Sequence, residues 1–190
     1  MQFTALPQAS HPAVVLRPIA AEDLDVWYAY LSMPIVFQHT SWKLSSPDDL
    51  AGYVLEAEPM TPLSRLRLAI ALRSTGALVG TAGFHTVSAE NRSAEIAYDL
   101  APSVWGQGIA SHMCAVLTAW AHSHVGLVRV QATVLDANLR SARVVERCGY
   151  LREGLLRSYR HIRGRPGDFL MYAHVEGAAQ LTVPGRSHAP

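Results

Sequence analysis

The segment Val104-Trp105-Gly106-Gln107-Gly108-Ile109-Ala110 carries the residue types of an anion site. Two glycines one residue apart let the backbone curl tightly. Their N–H groups can then point outward with a helix dipole behind them. Ile109, Met113, Val116, Leu117 and Trp120 fall on one helical face, so the spacing predicts a helix starting at the loop. Ahead of it, Ala94 to Leu100 alternates in character like a strand, and Pro102 ends the run. A phosphate-bearing ligand is therefore expected between this strand and this helix. Gly106-x-Gly108-x-x-Ser111, with Asp136 after the next strand-like run, also loosely fits a dinucleotide fingerprint, as in a nicotinamide-dependent oxidoreductase. That pattern needs the glycine turn directly on a first strand inside a βαβ unit, whereas Ala101 to Trp105 intervene here. A plain glycine turn is the third reading.

Other residues have chemistry to offer beside this loop. Glu95 and Asp99 share one strand face by period-two spacing, and a partly buried carboxylate there suits proton abstraction. An ordinary solvent-facing Glu fits the same pattern; Asp99 lies nearer the strand end. Asn138 and Ser141 stand where they would cap a helix or reach into a ligand site. Arg140 and Arg143 suit phosphate oxygens, or a solvated helix face. The run Phe37-Gln38-His39-Thr40-Ser41-Trp42 is unusually aromatic and polar for a connection. Phe37, His39 and Trp42 would wall an acceptor pocket or anchor the loop, with Tyr159, Arg160 and His161 opposite. The nine histidines are scattered over different elements, and His122 and His124 have no carboxylate at ligand spacing, so no metal site is expected.

The elements that must position these groups follow from periodicity. Val14 to Arg17 reads as a strand closed by Pro18, and Glu22 to Leu31 as a helix burying Leu24, Trp27, Tyr28 and Leu31. Ser46-Pro47-Asp48-Asp49 is a helix start, with Leu50, Tyr53 and Val54 as its apolar stripe. From Arg65 the period becomes two, with a turn at Ser74-Thr75-Gly76, giving an antiparallel meander that ends at Leu100. Leu127 to Leu135 is a further strand, Asn138 to Cys148 a short helix ended by Gly149, and Phe169 to His174 a last strand. The order β-α-α-β-β-β-α-β-α-β makes an α/β (α+β) domain: a mixed, mostly antiparallel sheet with helices on both faces.

Trp105-Gly-Gln-Gly-Ile-Ala110, together with Asn138-Leu-Arg-Ser141, Cys148-Gly-Tyr150, Glu153-Gly154-x-x-Arg157 and Gly167-Asp168, resembles the GNAT superfamily of N-acetyltransferases in its RimJ/RimL-type branch. Trp105 stands where Gln or Arg is commoner. The resemblance implies a sheet splayed at a cofactor notch, with acetyl-CoA as cosubstrate. It implies that the backbone of Ile96, Ala97, Tyr98 and Leu100 binds the pantetheine, while Gln107, Gly108, Ile109 and Ala110 meet the pyrophosphate. Asn138 would bind pantetheine amides, Arg143 a CoA phosphate, and Ser141 the leaving thiolate, with Glu95 as base. Many relatives place a Tyr seven residues after the Asn; Val145 stands there, which leaves open a non-catalytic acyl-CoA-binding module.

Composition sets the outer bounds. At 190 residues with 49% hydrophobic and 16% charged residues, one domain with a sizeable core is expected over 13–175, with 1–12 and 176–190 as flexible termini. A net charge of +1 calls for no nucleic-acid partner, and no apolar run is long enough for a membrane span. The first residues lack a secretory pattern, and Cys114 and Cys148 suit reduced thiols, so a cytoplasmic monomer or homodimer is expected. The partner is an amine acceptor. An α-amine of pKa about 7.7–8.0 costs about 1–1.4 kcal/mol to neutralise at pH 7, against about 4–5 kcal/mol for a lysine. A modest carboxylate base therefore favours α-amines of protein N-termini, peptides or small molecules.

Overall fold

The computed structural model describes residues 6–54 and 65–177. A seven-stranded sheet runs in the order β1-β2-β3-β4-β5-β7-β6. Its strands are β1 (Val14–Pro18), β2 (Leu66–Leu72), β3 (Leu78–Ser88), β4 (Ser93–Leu100), β5 (Arg129–Leu135), β6 (Leu151–Ile162) and β7 (Arg165–Val175). Helices α1 (Leu24–Leu31) and α2 (Pro34–Phe37) cover one face with a 3-10 turn at Pro47–Tyr53; α3 (Ile109–Trp120) and α4 (Leu139–Arg147) cover the other.

Two cores result. Leu68, Ile70, Phe84, Ile96 and Val130 meet Ile109, Met113, Leu117 and Val145 on the α3 face. On the other face Trp27, Tyr30, Leu31 and Leu50 close over Ala69 and Leu78. Strand β4 has the alternation its sequence announces: Ala94, Ile96 and Leu100 join the α3 core, while Asp99 bonds residues of α1 on the opposite face.

All ladders are antiparallel except β4 with β5, which pair in parallel only at Ser93, Ala94 and Glu95. Beyond Glu95 the residues of β4 keep their ladder with β3 through Leu100 but have none with β5. The expected splay therefore begins at Glu95.

The structure corrects the sequence reading at four places. The segment before the last strand forms β6, an edge strand hairpinned to β7. The turn at Pro47–Tyr53 is 3-10 rather than α-helix, and Pro34–Phe37 adds a short helix inside the aromatic connection. Residues 6–12 run ahead of β1 without helix or strand, yet Ala9 is buried and the Arg73 guanidinium bonds the carbonyls of Ala9 and His11. The outermost segments, 1–5 and 178–190, lie outside the described residues.

Candidate active site

A cleft of about 650 Å³ opens where β4 leaves β5. Tyr98, Leu100, Gly108, Ile109, Ala110, Asn138, Ser141 and Arg143 all line it, so the structure brings the glycine loop, the strand end and the α4 start together. Arg140 and Arg147 add positive charge, and Ile35, Val36, His39 and Thr40 close the side nearest α2. Glu95, Ile96, Ala97 and Gln107 are not among the lining side chains; Ile96 packs into the α3 core and offers only its backbone.

The loop has the geometry its glycines permit. Gly106 and Gly108 take φ of 78° and 77°, a left-handed conformation that costs an L-residue strain. Gly108 is the N-cap of α3, and the first bond of the helix runs from the His112 N–H to its carbonyl. The amides of Ile109, Ala110 and Ser111 thus stand at the positive end of a 12-residue helix without helical acceptors. A Cβ added at Gly106 or Gly108 meets no atom within 4 Å, so the space before the loop is open. These amides, with Arg140, Arg143 and Arg147 across the cleft, fit a pyrophosphate.

On α4, Asn138 is the N-cap and its side chain accepts from the Ser141 N–H at 3.2 Å, so its capping role is realised. The Ser141 hydroxyl lies 3.0 Å from the Tyr98 hydroxyl, which also donates to the Ser141 carbonyl at 3.3 Å. Burial raises the Tyr98 pKa well above its ordinary value and keeps its proton in place. This Tyr98–Ser141 pair was not legible in the sequence, because it joins residues 43 positions apart. Val145 is fully buried in the α3 core, so no hydroxyl comes from that position.

The two carboxylates of β4 have different surroundings. Asp99 accepts from Trp27 Nε1 at 3.2 Å and Thr81 Oγ1 at 2.8 Å, and also from Tyr30 and the Arg67 guanidinium. Every lone pair is engaged, so Asp99 holds β4 to α1 and β3. Glu95 is 3% exposed at the last residue paired with β5. Its Oε1 accepts from the Thr133 hydroxyl and from Arg160 Nη2 at 3.1 Å, and His85 Nε2 lies 3.7 Å away. Among the described residues Oε2 accepts no hydrogen bond. The pKa of His85 is lowered, chiefly by burial and against the pull of Glu95, which favours a neutral ring near pH 7.

The acceptor-side residues divide. His39 lines the large cleft with its Nδ1 buried and unpartnered among the described residues; burial, Arg140 and Arg163 lower its pKa and favour a neutral ring. Phe37 and Trp42 line a neighbouring cleft, and Trp42 also packs edge-on against Trp27 and Tyr53, which anchors the connection. Tyr159 stands on β6 against Phe169 beside Arg160, and lines neither cleft. Among the described residues no group of His, Cys, Asp or Glu is placed to hold a metal ion.

A sheet splayed after its fourth strand, with a glycine loop and helix N-terminus at the opening, defines an acyl-CoA-dependent transferase rather than a dinucleotide enzyme. The loop follows a meander and a 3-10 turn at Pro102–Val104, not a first strand, which removes the oxidoreductase reading. Residues 13–151 match the family described as the acetyltransferase (GNAT) domain. The chain is 29% identical over 167 residues to the uncharacterized N-acetyltransferase YoaA of Bacillus subtilis, covering 86% of this chain and 93% of that protein. Mycobacterium smegmatis RimJ, solved in complex with CoA-disulfide, superposes with a TM-score of 0.71 at 26% identity over 86% of this chain and 82% of its own. Spermidine N-acetyltransferase from Vibrio cholerae, solved with CoA and spermine, shares the fold with a TM-score of 0.73 at 18% identity, covering 87% and 96%. The chain belongs to the GNAT family of acetyltransferases and is an acyl-CoA-dependent N-acetyltransferase.

The glycine loop offers a direct test of the cofactor assignment. Gly108→Val adds strain of about 1–2 kcal/mol at a positive φ and places a branched side chain in the open space before the α3 amides. CoA affinity measured by calorimetry should fall at least about tenfold, equivalent to about 1.4 kcal/mol, with the far-UV spectrum unchanged. Unaltered affinity would remove the loop from the cofactor site.

Proposed function

We propose that the protein moves the acetyl group of acetyl-CoA to the α-amine of a protein N-terminus, a peptide or an amino-acid-like small molecule, by direct attack in a ternary complex. The observation that carries this reading is the opening of the sheet at Glu95, a buried carboxylate with one oxygen that accepts no hydrogen bond among the described residues, on the strand whose end lines a cleft furnished for a pyrophosphate.

Acetyl-CoA supplies the thioester carbonyl and a thiolate leaving group. The amides of residues 96–100 that have no ladder with β5 bind its pantetheine arm, and the α3 N-terminus with Arg143 binds its phosphates. Glu95 Oε2 takes the amine proton, directly or through one water, while Thr133 and Arg160 hold the carboxylate by Oε1. The nitrogen forms its bond to the carbonyl carbon as the C–S bond breaks. Ser141, oriented by Tyr98, donates a hydrogen bond to the departing sulfur. An α-amine is neutralised near pH 7 at far smaller cost than a lysine, which favours it as the acceptor.

A peptide with one free α-amine and one internal lysine separates these acceptors. After incubation with acetyl-CoA, fragment mass spectrometry should place the acetyl group on the α-amine. Acetylation of the lysine alone would overturn the α-amine assignment.

A further inference from the structure

A second cleft of about 190 Å³ lies between the 37–45 connection and the end of the β6–β7 hairpin. It shares Thr40 with the large cleft, so the two adjoin at that residue beside α2. Its charged or titratable lining is Lys43, His161 and Arg163, with the hydroxyls of Thr40, Ser41 and Ser45 between them. Arg163 is held in place: it donates to the carbonyls of Phe37 and Gln38 at 2.7 Å each and lies over the Phe37 ring. Two of its five N–H groups are thereby used, and its charge stays at the rim.

Among the described residues no carboxylate lines this cleft. Of Asp48 and Asp49, which follow along the chain, Asp49 is turned onto the Ser45 and Ser46 amides and neither lines the cleft. In the large cleft the one acidic lining residue among the described residues is Asp99, which is saturated by Trp27, Tyr30, Thr81 and Arg67. Glu95 is paired with Arg160. A polycation would therefore meet Lys43, Arg140 and Arg163 on the described walls of the two clefts. An anion would meet complementary potential and hydroxyl donors.

We propose that the acceptor carries an anionic group, a carboxylate or a phosphate, held in this second cleft while its amine enters the large one. The inference rests on the α-amine reading above and narrows it to acidic acceptors. It also separates this enzyme from polyamine acetylation despite the shared fold.

The test uses the full chain, acetyl-CoA and short N-terminal peptides in matched pairs: Asp against Asn, Glu against Gln, and phosphoserine against Ser, at the first or second position, with spermidine in parallel. The anionic member of at least one pair should show kcat/KM about tenfold or more above its neutral partner. The carboxylate and phosphate pairs tell which anion is read. The preference should shrink as salt is raised, and Lys43→Glu should bring the ratio to about one. Equal kcat/KM across all pairs, or spermidine turned over as well as the best peptide, would overturn the proposal. Equal turnover of neutral and acidic peptides would leave the α-amine reading standing, whereas absence of turnover with every peptide would remove both.

Discussion

Glu95→Gln should lower kcat/KM for an α-amine peptide by about 10²–10⁴-fold, the range a positioned general base contributes. Gln keeps an oxygen for the Thr133 hydroxyl but cannot take a proton at the second position, and it leaves Arg160 without its counter-charge. The pH profile separates catalysis from structural damage. With the base gone, the rate depends on amine that is already neutral. It should climb as pH rises through about 7.7–8.0, so the deficit against the parent enzyme narrows in alkali. CoA affinity and the thermal midpoint, measured on the same preparation, report folding. A deficit below about fivefold, or one of the same size at every pH, would exclude Glu95 as the proton acceptor.

Asp99→Ala should damage stability instead. Asp99 and Arg67 are each only 9% exposed and bonded to one another, with Thr81 bridging them: its hydroxyl donates to Asp99 and accepts from Arg67 Nε, both at 2.8 Å. Truncating the acid strands a buried guanidinium and leaves the Trp27 and Tyr30 donors without an acceptor. Breaking a buried pair in this way costs about 3–5 kcal/mol. For a chain of this size that lowers the thermal midpoint by roughly 6–20 °C in differential scanning calorimetry. Replacing both partners by apolar residues, Asp99→Leu with Arg67→Met, should recover part of the loss, because no charge is left unpaired. A midpoint within about 2 °C of the parent for Asp99→Ala would contradict this account of the cluster.

The contrast between these two carboxylates marks how far the sequence could be read. Period-two spacing put Glu95 and Asp99 on one face of β4, and the glycine pair with the apolar stripe from Ile109 to Trp120 located the loop and α3. Those signals are local, and they survive folding because each element follows its own period. What distinguishes Glu95 from Asp99 is not local. The partners of Asp99 come from α1, β2 and β3, as many as 72 positions away, and Arg160 reaches Glu95 across 65 positions. No spacing along the chain encodes such meetings. Strand β6 was missed for another reason. It is an edge strand with most side chains exposed, so its sequence lacks apolar alternation, and its ladder is broken by register shifts after Arg152 and Leu156. Beyond the second shift, Arg160 lies beside Glu95 and His161 lines the second cleft. The part of the chain hardest to read thus supplies one wall of the acceptor side.

Acetyl-CoA-dependent thiol release, measured across free peptides, amino acids, amino sugars and polyamines in parallel, tests the central claim most directly. The account predicts saturable release with α-amines of peptides or amino acids and little with polyamines. CoA binding without release for any amine would contradict the assignment of Glu95 and Ser141 as a working catalytic pair. No CoA binding at all would contradict the reading of the cleft between β4, α3 and α4.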